Sequence, residues 1–256
     1  MRVRSVLAAC SALCCLAWPA GARAAQRDAT LVATLNATLG GASLKLEGLC
    51  AARVDVSVDP ALHDRVAVSV AARNRQEIDR LAFESGAAAR VGPAAGLDPA
   101  CWRPAGDAPF SPTLTVRVAV PPSFGLGLSE SGATRFRIGA IGPLSVDGSG
   151  SEDIAVDSVQ GPIGVSLSGS ATLGIGRVES GQVAVENSGS ADLRVRSGRI
   201  GTLSLQQSGS GTVAIGAAVG DATIDSSGSG GVTLASASGT LTKSVSGSGT
   251  VVVGDR

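Results

Sequence analysis

The triplet Ser-Gly-Ser returns six times between Ser149 and Ser248, with its central glycine at Gly150, Gly169, Gly189, Gly209, Gly228 and Gly247. Steps of 19 or 20 residues sustained over that many cycles mark a structural repeat. Counted from this glycine, positions +4 and +6 are aliphatic in every cycle: Ile154/Val156, Leu173/Ile175, Leu193/Val195, Val213/Ile215, Val232/Leu234 and Val251/Val253. Two apolar residues with one between them face the same side of a strand. A second glycine precedes each motif glycine by eight residues, at Gly142, Gly161, Gly181, Gly201, Gly220 and Gly239. It is followed at +2 and +4 by further pairs such as Ile163/Val165 and Leu203/Leu205. Each period therefore predicts at least two short strands separated by glycine turns.

Strands too short to bury a face alone gain a core by stacking like on like, at about 4.8 Å per coil. The expected fold class is all-β: a single-stranded parallel β-helix (solenoid) with an amino-terminal β-rich region. The Ser-Gly-rich helix is expected over residues 129–256, opened by a degenerate unit at Gly132 whose columns hold Phe136 and Ile138. Its core must be aliphatic, because the chain has no tyrosine and Phe136 is its last aromatic residue. Lys243 interrupts an apolar column in the last cycle. Either that coil frays and the lysine reaches solvent, or the register shifts and Val245 replaces it.

Residues 1–24 have the pattern of an export signal: Arg2 and Arg4 precede an apolar run from Val6 to Trp18, and Ala22-Arg23-Ala24 suits cleavage near Ala24. The expected location is periplasmic or secreted. No later stretch has the roughly 18 apolar residues of a membrane-spanning helix. Residues 25–128 form the amino-terminal β-rich region, with strands expected at Val54-Val56-Val58, Val66-Val68-Val70 and Val116-Val118-Val120. A helical turn or two is expected within Gln76–Phe83, and an ordered loop over Gly86–Pro112. Without the signal, Cys50 and Cys101 are the two cysteines left, and an oxidising compartment predicts a disulfide between them. A metal site on those cysteines lacks further ligands, since His63 is the single histidine. No cofactor is expected.

The chain has 21 basic and 21 acidic residues, and loss of Arg2, Arg4 and Arg23 with the signal tips the balance to acid. A nucleic-acid partner, which calls for a concentrated basic face, is not expected. Asp153 and Asp192 share the +3 column two coils apart, about 9.6 Å on ideal stacking, near the upper end of the carboxylate separation in inverting glycosidases. Their alternation with Thr172 and Thr212 also suits an ordinary turn column. Arg194, Arg196 and Arg199 are a candidate anion patch, or a solvated face balanced by Asp157, Asp192 and Glu179. Outward positions Gly174, Gly176, Ala214 and Gly216 are small and flat, a candidate contact face for another backbone or a second copy.

The Ser-Gly-Ser units, with the preceding GPLSVDGSGS and GPIGVSLSGS patterns, resemble the bacterial autotransporter-adhesin head domains called GIN domains over Leu44 to Val253. The resemblance implies an exported, non-enzymatic cell-envelope interaction or adhesin-like module. Its partner would be an envelope protein or a glycan, with self-association as a further option. The alternative from another class is a β-helical carbohydrate-active enzyme acting on acidic polysaccharide through Asp153 and Asp192.

Overall fold

The computed structural model describes residues 33–50, 52–73, 75–95 and 114–254. The expected signal segment and Cys101 lie outside them. The amino-terminal segment supplies β1 (Ala33–Gly40), β2 (Ser43–Glu47), β3 (Arg53–Val58), β4 (Arg65–Ala72), helix α1 (Arg75–Asp79), β5 (Leu81–Glu84), β6 (Ala88–Pro93) and β7 (Thr115–Val120). The repeats supply β8 (Gly125–Glu130), β9 (Arg135–Ile141), β10 (Leu144–Gly148), β11 (Asp153–Gln160), β12 (Ile163–Leu167), β13 (Thr172–Asn187), β14 (Asp192–Gln207), β15 (Val213–Ser226), β16 (Gly231–Ala237), β17 (Leu241–Val245) and β18 (Thr250–Val253). The loop expected over Gly86–Pro112 thus contains strand β6, whose Ala89 and Val91 are buried at period two.

Two parallel ladders run the length of the helix. The first stacks β6, β2, β8, β10 and β12, then the carboxy-terminal halves of β13, β14 and β15, then β17. The second stacks β7, β3, β9 and β11, then the amino-terminal halves of β13, β14 and β15, then β16 and β18. The aliphatic columns of the sequence are the inward positions of these ladders. Ile154, Leu173, Leu193, Val213 and Val232 are paired successively and all are buried.

The parallel ladders extend upstream of Ser129, and in a permuted order. The coil made by β2 and β3 comes first in the chain but second in the stack, between the β6/β7 coil and the β8/β9 coil. Residues Pro121–Phe124, with Ser123 at φ 61°, carry the chain past this inserted coil. The outer end of the stack is closed by strands that reverse direction: β4 pairs antiparallel with β7, β1 with β4, and β5 with β6. Such a cap removes the open edge on which a solenoid would otherwise aggregate. The opposite end carries no such cap among the described residues. Lys243 holds register opposite Ile224, in the interior column but in solvent, and Leu241, Val245 and Val252 are exposed beside it.

The corner glycines owe their identity to stacking distance. A Cβ on Gly169 would overlap the carbonyl oxygen of Gly150, and a Cβ on Gly209 that of Gly189. Positive φ, the usual demand for glycine at a turn, is confined among the described glycines to Gly48, Gly161 and Gly198.

Candidate functional site

Outward positions of the second ladder form one continuous face. Its central column runs Arg117, Asp55, Arg137, Ala155, Gly174, Arg194, Ala214, each the Cα partner of the next. The neighbouring column runs Arg53, Arg135, Asp153, Thr172, Asp192. Strand periodicity turns these side chains outward while the residues between them fill the core, as with Arg135 and Arg137 flanking fully buried Phe136. Two groups of arginines result. Arg53, Arg117, Arg135 and Arg137 come from three different coils, and Arg194 and Arg196 lie further along. Between Arg137 and Arg194 the column carries Ala155 and Gly174, three coil steps or about 14 Å of low relief.

The carboxylates on this face are used locally. Asp153 Oδ2 accepts from Arg135 Nε at 2.9 Å and from Arg137 at 3.3 Å. Partial burial opposes its ionisation, but the hydrogen bonds from Arg137 and Arg135 outweigh it and hold the carboxyl below the usual aspartate range. Asp192 Oδ1 accepts from the backbone N–H of Thr212 at 2.8 Å. Glu179 pairs with Arg177 at 2.7 Å. Arg53, Arg117, Arg194, Arg196 and Arg199 are exposed and make no ion pair among the described residues. Arg199 follows the bend at Gly198, beyond the irregularity between Val195 and Arg199 that offsets it from Arg194 and Arg196. The geometry lends nothing to the glycosidase reading of Asp153 and Asp192, since an inverting pair must present its carboxyls to the glycosidic oxygen and a water, and these two are taken up by Arg135, Arg137 and the Thr212 N–H.

A shallow hollow of about 590 Å3 lies on the same face, with Asp55, Arg117, Arg137, Ala155 and Asp157 on its walls. Another hollow, about 600 Å3 on the first ladder's outer face, is floored by Gly125, Gly127, Pro143 and Gly164 with Lys45 and Asp147 beside them. Of the four small residues singled out in the repeats, Gly174 is open, since a Cβ there would meet nothing nearer than 4.0 Å. A Cβ on Gly176 would lie 2.6 Å from the Asp157 carbonyl oxygen, and one on Gly216 would overlap that of Arg196, so both are required by stacking. Ala214 lies half-buried beside Arg194. His63 is exposed in the turn before β4.

Two carboxyls are buried where the inserted coil meets the repeats. Glu130 accepts from the Leu49 N–H at 3.0 and 3.1 Å, from the Thr134 hydroxyl at 3.3 Å and from the backbone N–H of Cys50. Burial dominates these bonds and pushes it up to about 8, with Glu152 nearby adding to the rise. Glu152 accepts from the Gly150 N–H at 3.0 Å, while its Oε2 is buried without a partner, and burial raises it too. Cys50 is buried beside this network; its expected partner Cys101 is outside the described residues.

Sequence spacing located Arg194, Arg196 and Arg199 but missed the group at Arg53, Arg117, Arg135 and Arg137. Their alternation with buried apolar residues, Val54 and Val56, Val116 and Val118, Phe136 and Ile138, turns each one outward. Their convergence depends on the inserted coil, which local spacing does not reveal.

The family described as "Putative auto-transporter adhesin, head GIN domain" matches residues 113–255. The chain belongs to this family. The GIN-domain match covers the repeats and β7, and similarity of fold reaches further upstream. A putative lipid binding protein from Parabacteroides distasonis superimposes with a TM-score of 0.64 at 13% identity, over 87% of this chain and 96% of that one. A putative adhesin from the same organism gives 0.55 at 13% identity, over 86% and 97%. One from Bacteroides fragilis gives 0.56 at 11% identity, over 88% and 97%. At these identities the solved neighbours establish the fold alone. Comparison with curated proteins finds no match.

Proposed function

We propose that this protein is an exported, non-enzymatic cell-envelope interaction module of the adhesin type, and that it meets its partner through the outer face of the second ladder. The observation that carries the proposal is the set of exposed arginines without ion pairs on a face whose other positions are Asp, Ala, Gly and Thr. Asp153, Glu179 and Asp192 are taken up by Arg135, Arg137, Arg177 and the Thr212 N–H, which leaves Asp55 and Asp157 on this face against the five unpaired arginines. Membership of a family named for adhesin heads points the same way. The signal segment, cleavage near Ala24, a Cys50–Cys101 disulfide and periplasmic or secreted residence belong to the same proposal.

Fractionation of the native host tests it together with binding of the purified mature chain to isolated envelopes. Saturable binding, displaced by excess unlabelled protein, is expected, with the native chain recovered outside the cytoplasm and one disulfide by intact mass. Cytoplasmic recovery with no envelope binding overturns the proposal.

A further inference from the structure

We infer that the second-ladder face binds a linear polysaccharide bearing carboxylate groups, laid along the helix axis between the two arginine groups. The inference rests on the adhesin-type reading above and names the chemistry of its partner.

Four features of the face converge on this ligand. Arginine offers paired N–H donors in a plane that matches a carboxylate, and Arg53, Arg117, Arg194 and Arg196 have theirs unused. Arg117 and Arg53 stand on adjacent coils, about 4.8 Å apart along the axis and comparable to one pyranose unit, and Arg194 and Arg196 stand together four coil steps beyond Arg53, within the span of a short linear chain. The floor between Arg137 and Arg194 is Ala155 and Gly174, so an extended chain can lie close to the backbone without obstruction. Asp55 and Asp157, on the walls of the hollow beside Arg117 and Arg137, supply acceptors for sugar hydroxyls.

The composition narrows the class further. Neutral sugars are commonly held by stacking on aromatic rings, and the described repeats contain one aromatic residue, Phe136, which is fully buried. Recognition on this face therefore has to come from charge and hydrogen bonds. Nucleic acid is a poorer fit, since the described residues of this face present no aromatic side chain to stack on bases and acidic residues interrupt the arginine columns. An acidic protein is the competing macromolecule, and the experiment separates it.

The test measures binding of the purified full-length mature chain to polygalacturonate, with neutral dextran, dextran sulfate and a DNA duplex as comparison ligands. Polygalacturonate is expected to bind most tightly, to weaken as salt is added, and to exceed dextran at least tenfold. The double variant Arg194→Glu/Arg196→Glu and, separately, Gly174→Glu should each weaken polygalacturonate binding tenfold or more. Lys243→Glu makes a like change of charge at the far end of the helix and should stay within twofold. Strand content by circular dichroism is read for every variant. Binding that survives both face variants, binding no stronger than to dextran, or tighter binding to DNA or dextran sulfate overturns the inference. Envelope binding that is lost on protease treatment but kept after removal of acidic polysaccharide also overturns it, while leaving the adhesin-type reading intact. Loss of all envelope binding sinks that reading instead.

Discussion

Glu152 and Leu167 share the corner space that Gly148 leaves open: a Cβ on Gly148 would lie 3.1 Å from Glu152 Oε2 and 2.9 Å from Leu167 Cδ2. In the next coils the order of sizes is reversed, with Leu167 facing Ala171, Asn187 facing Ala191 and Gln207 facing Gly211 on either side of the Ser-Gly-Ser turn. In each of these four corners one large side chain fills the space, from whichever arm supplies it. Gly148→Leu alone should cost about 1–3 kcal/mol through overpacking. Adding Glu152→Ala recreates the Leu167/Ala171 arrangement and removes a buried carboxyl, so the double variant should recover the part of that loss that comes from Glu152, leaving the contact with Leu167. A double-mutant cycle in denaturant measures the coupling; additive costs would contradict the exchange of volume.

Acid should stabilise this protein relative to mild alkali. In the fold Glu130 is pushed up to about 8, against an ordinary 4.5. Below the ordinary value both folded and unfolded states carry the proton. Between the two values the unfolded chain releases it while the folded chain retains it, so stability falls as pH rises through that window. The slope for one group is at most about 1.4 kcal/mol per pH unit. Glu152, also raised, acts with the same sign. Unfolding midpoints measured from pH 5 to pH 8.5 should decline, and Glu130→Gln should flatten the decline.

Asn187 and Asp192 form a substitution for a missing ladder bond. Thr212 N–H donates to Asp192 Oδ1 at 2.8 Å, and Ala191 O accepts from Asn187 Nδ2 at 2.7 Å. In the coil before, the Asp192 N–H donates to Ala171 O in the regular way. Asn187→Leu, despite matching Leu167 in the same column, should cost about 1–3 kcal/mol by orphaning a buried carbonyl. Asp192→Ala releases the Thr212 N–H to bond Ala191 O, so it should reduce that penalty in the double variant. Thermal unfolding of the three variants checks the order.

Glycines of similar sequence context should respond very differently to alanine. Gly209→Ala would force a methyl into the Gly189 carbonyl and should cost about 3 kcal/mol. Gly181→Ala, with nothing within 4 Å and no positive φ, should change stability by less than about 1 kcal/mol. Chemical denaturation of both resolves a difference of that size.

The periodicity of Ile154, Leu173, Leu193 and Val213 made the coil legible, because a regular stack repeats the same local demand in every cycle. Arg194 and Arg196 could be placed on one face for the same reason. The position of Arg53 beside Arg135 could not, since it depends on pairing between strands about eighty residues apart in the chain, with no repeat to transmit the register. The corner glycines were recognised as turns, yet the reason for them is the neighbouring coil's carbonyl, an object visible only after stacking. Glu152 is a similar case: its acid side chain reads as a surface residue until Gly148 is placed opposite it.

The coil written by Ser43–Val58 sits between two coils written by residues 88–120 and 125–141. A chain emerging amino-terminus first must therefore hold β2 and β3 with both edges unsatisfied until two later segments arrive to sandwich them. The repeats can zip up in order, each on its predecessor, but this end closes late and through contacts remote in sequence, the kind that slow folding and expose strands to mispairing. The interleaving also ties the cap into the stack, so lengthening the helix by whole repeats is open only on the side away from it.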